Sequence, residues 1–237
     1  MPSKRADGTL VFIVIVYGPS ISENIKVFKW IHEKEKNEEG INIKQIPMGQ
    51  NILQSVDLPI GKVSNVVFQL ITVTGQQGHK IKYENLLKGV DGILFIWDSL
   101  LDQWSENIWS LNELLRLYGD KLILTEVPIV VLADKRDLED IVEISKIRQA
   151  LDTAKLNHVL IYETIVDQGI NVKRAFVYVG RQTVLNHYRK LGINDYKCPL
   201  CYSSLSGNQA QRFMHGEIIR CKYCDVEFNA ELTSLKL

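Results

Sequence analysis

Residues 10–28 read LVFIVIVYGPSISENIKVF, an apolar run joined to an amphipathic pattern through one glycine and one proline. A short run apolar on both faces is the mark of a strand covered on both sides, as in a parallel sheet. After Pro19 the stretch Ser20-Ile-Ser-Glu23 fits S-x-x-E. In that capping box the serine caps a helix and the glutamate reaches back to the cap's backbone N–H. A strand that ends in glycine and turns into a helix is where many α/β proteins hold a phosphate, because the helix N-terminus offers unpaired N–H groups and partial positive charge. The phosphate-loop rule G-x4-G-K-[ST] is not met. Counting from Gly18, its glycine, lysine and hydroxyl positions hold Glu23, Asn24 and Ile25, and Lys26 falls two residues late. The expectation is that the chain's own Ser20 and Glu23 take the phosphate's place.

Outward from this turn, strand-like runs at Leu10–Val16, Val66–Thr72, Ile93–Trp97, Ile129–Leu132 and Val159–Tyr162 alternate with helical patterns. Trp104, Ile108, Leu111, Leu115 and Tyr118 recur at helical spacing, and Val172, Phe176, Val179 and Thr183 start a last helix running to about Lys190. The alternation predicts an α/β fold, a mostly parallel sheet with helices on both faces. Between Asn42 and Val73 two extended segments flank GKVSN, which predicts an antiparallel hairpin placing one edge strand. Residues 1–8 are polar and read as a flexible N-terminus, residues 9–190 as the main domain and residues 191–237 as a separate module. The boundary falls near 191–197.

The chain of 237 residues carries 28 basic and 28 acidic side chains, so its overall charge gives no pull toward nucleic acid or an anionic membrane. No apolar run is long enough to span a bilayer, and neither end carries a signal or lipid-anchor pattern. The reading is therefore cytoplasmic, where cysteines more often ligate metal than form disulfides. Cys198-Pro-Leu-Cys201 and Cys221-Lys-Tyr-Cys224 form C-x2-C…C-x2-C. Two such knuckles point four soft thiolates at one ion. That predicts a closed structural Zn²⁺ site in a zinc ribbon, not a catalytic one. His215, between the pairs, is left as a surface or packing residue. Five basic residues in 191–237 are matched by five acidic ones. Nucleic-acid binding is disfavoured, and a protein-contact or stabilising role is expected.

Four further stretches stand in a telling order: Thr72-Val-Thr-Gly75-Gln76, GVDGILFIWDS at 89–99, Val130–Leu138 with Asp134-Lys135-Arg136-Asp137, and Tyr162–Gly169. With YGPSISEN they resemble a small GTPase of the Ras superfamily, in its gliding-motility (MglA-type), Arf-like branch. The resemblance covers about residues 9–190 and leaves out the cysteine tail. It implies a Ras-like G domain with a six-stranded sheet and five helices, with GTP or GDP and Mg²⁺ in loops at the strand ends. It also implies partners of the Roadblock/longin type, or another GTPase, bound through residues 42–90. On the same alignment Gly18, Ser20, Ser22, Gly75, Lys135 and Asp137 are what remains of the nucleotide site, and Gln76 is the candidate catalytic residue that orients water.

The departures from the family pattern cluster where triphosphate and magnesium would sit. Thr72 replaces an aspartate, and no threonine occurs between Lys34 and Leu70 to serve the first switch. At the guanine end Asp134 replaces asparagine, exchanging a donor-acceptor amide for an acceptor. Ile165-Val166 stands for Ser-Ala, where the backbone N–H is still available to guanine. Lys135 and Asp137 either hold the base or pair with each other. Two functions follow. One is a pseudo-GTPase, a regulatory or scaffold module that works by protein contact. The alternative is a guanine-nucleotide switch with slow GTP hydrolysis.

Overall fold

The computed structural model describes residues 2–35, 43–48, 51–59, 66–74, 89–190, 197–198, 200–201, 203–205, 207–214 and 217–228. The sheet of the main domain is built from β1 (Ser3–Lys4), β2 (Leu10–Gly18), β3 (Lys44–Met48), β4 (Asn51–Pro59), β5 (Val66–Thr74), β6 (Gly92–Asp98), β7 (Ile129–Asp134) and β8 (Leu160–Glu163). Its order is β3-β4-β5-β2-β6-β7-β8, with β1 added beside β2. β5, β2, β6, β7 and β8 are mutually parallel, and β3-β4-β5 is an antiparallel meander. The six strands implied by the family pattern are all present, and two short ones are added.

One expectation needs correction, and a second is narrowed. The hairpin around GKVSN is β4-β5, but the sheet edge is β3, one strand further out. Its Pro47 is tolerated there because an edge strand has a side that needs no N–H donor. Part of the stretch read as a flexible N-terminus, Ser3 to Arg5, is joined to the sheet. Ser3 and Lys4 pair with Val11 and Leu10, and Arg5 binds Asp57 at 2.7 Å.

The alternation within each strand explains the layers. Ile15, Tyr17, Ile93, Phe95, Trp97 and Val131 face one side, covered by α2 (Trp104–Ile123) and α3 (Ile144–Thr153). Phe12, Val14, Val16, Leu94, Ile96 and Leu132 face the other, covered by α1 (Ile21–Glu35) and α4 (Val172–Lys190). Both faces are apolar because both are roofed, which is why these strands read as continuous apolar runs. The fifth helix of the family pattern would fall on residues 75–88, outside those described.

The cysteine module holds β9 (Ile219–Arg220) and β10 (Glu227–Phe228), paired antiparallel, and the short helix α5 (Gly207–Met214). Its core is Cys198, Ile219, Cys221 and Phe228, with Leu205, Phe213 and Val226 against them. The helix between the two knuckles was not legible from the spacing.

Candidate functional site

The parallel strands bring the β2–α1 turn and the loops after β6, β7 and β8 to one end of the sheet, where open α/β sheets bind ligands. At the first of these the phosphate loop is missing as a loop. Only Pro19 and Ser20 separate β2 from α1, so residues that would wrap a phosphate are already helical. Ser20 caps the helix: its hydroxyl accepts from Glu23 N–H at 3.4 Å, and its carbonyl from Asn24 N–H at 3.1 Å. Ser22 lies 2.8 Å from the Ser20 hydroxyl.

The capping box is realised in one direction. Glu23 pairs with Lys26 at 3.5 Å, and its side chain is only 12% exposed. Among the described residues no bond from Ser20 N–H to that carboxylate is present. Glu23 faces the strand ends closely enough to act electrostatically on Asp134 and Lys135.

Asn24, at the position of the phosphate-gripping lysine, is fully buried. Its amide donates to Val73 O at 2.8 Å and Gly18 O at 3.3 Å, tying together the ends of β5 and β2. A Cβ on Gly18 would come within 2.7 Å of Ile96 O and 2.9 Å of Asn24 Oδ1. The glycine is therefore required by its protein neighbours, with no phosphate needed to explain it.

The guanine end is likewise self-satisfied. Asp134 is buried; it accepts from Val166 N–H at 2.8 Å and from the Thr164 hydroxyl at 3.2 Å. The amide that the sequence left available to a base is thus engaged by the residue that replaced asparagine. Burial pushes the Asp134 carboxyl up, against those hydrogen bonds. Lys135 pairs with Asp98, at the end of β6, at 2.6 Å. Burial lowers its ammonium, but the bond to Asp98 and the charges of Asp98, Glu23 and Asp134 together outweigh this and hold it above the ordinary value. The second oxygen of Asp98 accepts Leu100 N–H, and Asn107 of α2 clamps the Asp98 backbone. The expected Lys135–Asp137 pair does not form; Asp137 is exposed.

Two further bridges cross the cleft. Lys26 reaches Asp167 at 3.1 Å, and Arg136 reaches Glu163 at 3.0 Å. Asp98 as the partner of Lys135 was missed by sequence reasoning. The signal was a carboxylate at the end of a neighbouring parallel strand.

Thr72 accepts Gln54 N–H at 3.1 Å, a bond within the sheet. Gly75 and Gln76 lie outside the described residues. The four segments 19–26, 98–103, 134–143 and 163–171 hold ten Asp or Glu against three Lys or Arg, in a chain whose total charge is zero.

Against this geometry stands the lineage. The model of the ADP-ribosylation factor family (Arf) matches residues 42–187, more than half of the chain. The chain belongs to the ADP-ribosylation factor family. It is also 26% identical over 185 residues to the mutual gliding-motility protein MglA of Myxococcus xanthus (strain DK1622), an alignment covering 76% of this chain and 93% of that protein. The chain is thus a Ras-like small GTPase in lineage. The match to the Arf family begins after the β2–α1 turn and ends before the first cysteine.

Beyond the Arf-family region, Cys198, Cys201, Cys221 and Cys224 are free thiols whose sulfurs lie within 4.8 Å of one another. Sulfurs around one tetrahedral Zn²⁺, with Zn–S near ~2.3 Å, would stand roughly 3.8 Å apart. Cys198–Cys224 and Cys201–Cys221 are each 3.5 Å, so the donor set fits. The knuckles are held from outside: Cys198 N–H donates to Ser203 O and Cys221 N–H to Val226 O. Ser203 Oγ lies 3.1 Å from Cys201 Sγ and 3.4 Å from Cys221 Sγ, while Tyr223 N–H donates to Cys221 Sγ. Burial raises the Cys221 thiol, but these donors prevail and hold it at about 6. Among the described residues no helix is long and apolar enough to cross a membrane.

Proposed function

We propose that this Arf-family chain is a pseudo-GTPase, a G-domain scaffold that has given up Mg-GTP turnover and works through protein contact. The observation that carries the reading is Asn24. Where the family needs a lysine reaching out to phosphate, a buried amide points inward and bonds the ends of β2 and β5. Two features support it. The helix begins at Ile21, so the cradle of loop amides is gone. The surplus of carboxylates at the strand ends repels a triphosphate, which would arrive with charge of the same sign. The partner lies in the class implied by the lineage, a Roadblock/longin-type protein or another GTPase.

The cysteine module, in this reading, holds one structural Zn²⁺ and contributes stability or a second contact surface. Four thiolates close the coordination shell, which leaves no position for a reacting ligand.

Calorimetric titration of the zinc-loaded protein with GTP and with GDP, each with and without Mg²⁺, tests the first claim. No saturable binding is expected. Micromolar, Mg²⁺-dependent GTP binding would overturn the reading in favour of a slow switch. Metal analysis of the purified protein tests the second, with about one zinc per chain expected.

A further inference from the structure

The strand-end face does more than exclude phosphate. Its loops are laced into one surface: Leu101 N–H donates to Asp140 O, Val142 N–H to Ser99 O, and Arg136 N–H to Thr164 O. On that surface large apolar side chains stand in the open beside the carboxylates. Leu101 is 52%, Leu138 46% and Ile170 42% exposed. The three basic side chains of those four segments are already engaged, Lys26 with Asp167, Lys135 with Asp98 and Arg136 with Glu163, and Arg174 at the start of α4 bonds Asn171. Asp137, Glu139 and Asp140 remain exposed around Leu138.

We propose that this face is a docking surface for a basic segment of a partner protein that carries apolar anchors, the anchors seating on Leu101 and Leu138 and the cations on the surrounding carboxylates. The inference rests on the pseudo-GTPase reading, since a bound nucleotide would occupy the same strand ends. Charge selects the occupant. Ten acidic side chains against three basic ones repel nucleic acid, an anionic bilayer and the same face of a second copy, and attract a cationic peptide over roughly one Debye length, ~8 Å at physiological salt. Exposed leucines supply what charge alone does not, a small desolvated centre inside a polar rim.

The test uses the full zinc-loaded chain and a labelled helical peptide with leucines on one face and lysines on the other. Its controls are the same peptide with glutamate for lysine, and oligolysine. Anisotropy should show saturable binding of the Lys/Leu peptide, weakened by salt. Hydrogen exchange should show protection over residues 99–103 and 135–143. Leu101→Ser with Leu138→Ser, and separately Asp137→Lys with Glu139→Lys, should each weaken binding about tenfold. The two pairs lie on exposed loop positions, and unchanged circular dichroism serves as the folding control.

Oligolysine binding as well as the Lys/Leu peptide, protection elsewhere, or no effect of either pair overturns the proposal. If the Lys/Leu peptide fails to bind a protein that also ignores GTP, docking falls and the pseudo-GTPase reading stands. GTP binding by the same preparation overturns that reading whatever the peptide does.

Discussion

Two regions of this chain carry motifs of known chemistry, and their polar groups end in opposite conditions. At the strand ends of the α/β domain, Asn24 bonds Gly18 and Val73, Asp134 bonds Val166 and Thr164, and Lys135 bonds Asp98. Groups that elsewhere would await a ligand serve one another. In the cysteine module four sulfurs converge within 4.8 Å of one another. Thiolates packed that closely repel one another unless a metal sits between them. A motif records descent, while the state of its donors and acceptors records present use. Most polar groups of the cleft are engaged within the protein, Asn24 Oδ1 and Ser99 Oγ excepted, whereas the four sulfurs are arranged as a donor set that could hold one metal ion.

Metal removal probes the sharper half of that contrast and has the largest expected effect. Among the described residues the module buries few side chains, chiefly Ile219 and Phe228 besides two of the cysteines. Ligation worth roughly 10–16 kcal/mol in small zinc modules therefore dominates its folding. Treating the full chain with a tight chelator, or replacing Cys221 by serine, should make the region around Lys197–Phe228 protease-sensitive. The α/β domain should keep its cooperative unfolding transition. Equal protease resistance with and without metal would sink the assignment.

Asn24 probes the other half. Asn24→Ala leaves the Gly18 and Val73 carbonyls buried without their donor, at a cost of about 1–3 kcal/mol, read as a lowered urea midpoint with unchanged slope. Asn24→Lys restores the family's residue type, yet it should destabilise more and should not confer GTP binding. It places a charge in a fully buried position in the first turn of α1, behind a two-residue turn that has no loop amides to offer. If Asn24→Lys gains micromolar GTP affinity, the cleft is only one substitution from use and the contrast between the two regions collapses.

How much of this was legible in the sequence follows the range of the interactions. The runs at 10–16, 93–97 and 129–132 declare buried parallel strands because both faces are roofed, a local pattern with a local reading. The C-x2-C pairs declare a common ligand because the knuckle is a local turn. The loss of the phosphate loop was legible too, through Glu23, Asn24 and Ile25. What filled the space was not. Asn24 meets Val73 across 49 residues and Lys135 meets Asp98 across 37, partnerships set by strand order and not by neighbours in the chain. β1 was missed for the same reason: Ser3 and Lys4 form a strand only because β2 offers them an edge. The acidic face was hidden by averaging, since a balanced total says nothing about where the charges gather.

Asp134 offers the smallest and most discriminating test. Burial raises its carboxyl above the ordinary 3.8, so the folded state holds its proton more tightly than the unfolded one. Below about 3.8 both states are protonated and the group contributes no pH dependence. As pH rises, the unfolded chain ionises first, and stability falls until the folded carboxyl ionises as well. Asp134→Asn keeps an acceptor for Val166 N–H and the Thr164 hydroxyl but carries no charge. Its stability relative to the parent should therefore grow with pH across that window and level off above it, by less than the Asn24→Ala effect, in urea unfolding followed from pH 3 to 7. The same substitution restores the amide of the family's guanine-binding pattern. Guanine nucleotide is still not expected to bind, because Val166 N–H remains engaged and no phosphate loop stands opposite. A variant that gained GDP affinity with that one change would show that the guanine end is held shut by Asp134 alone.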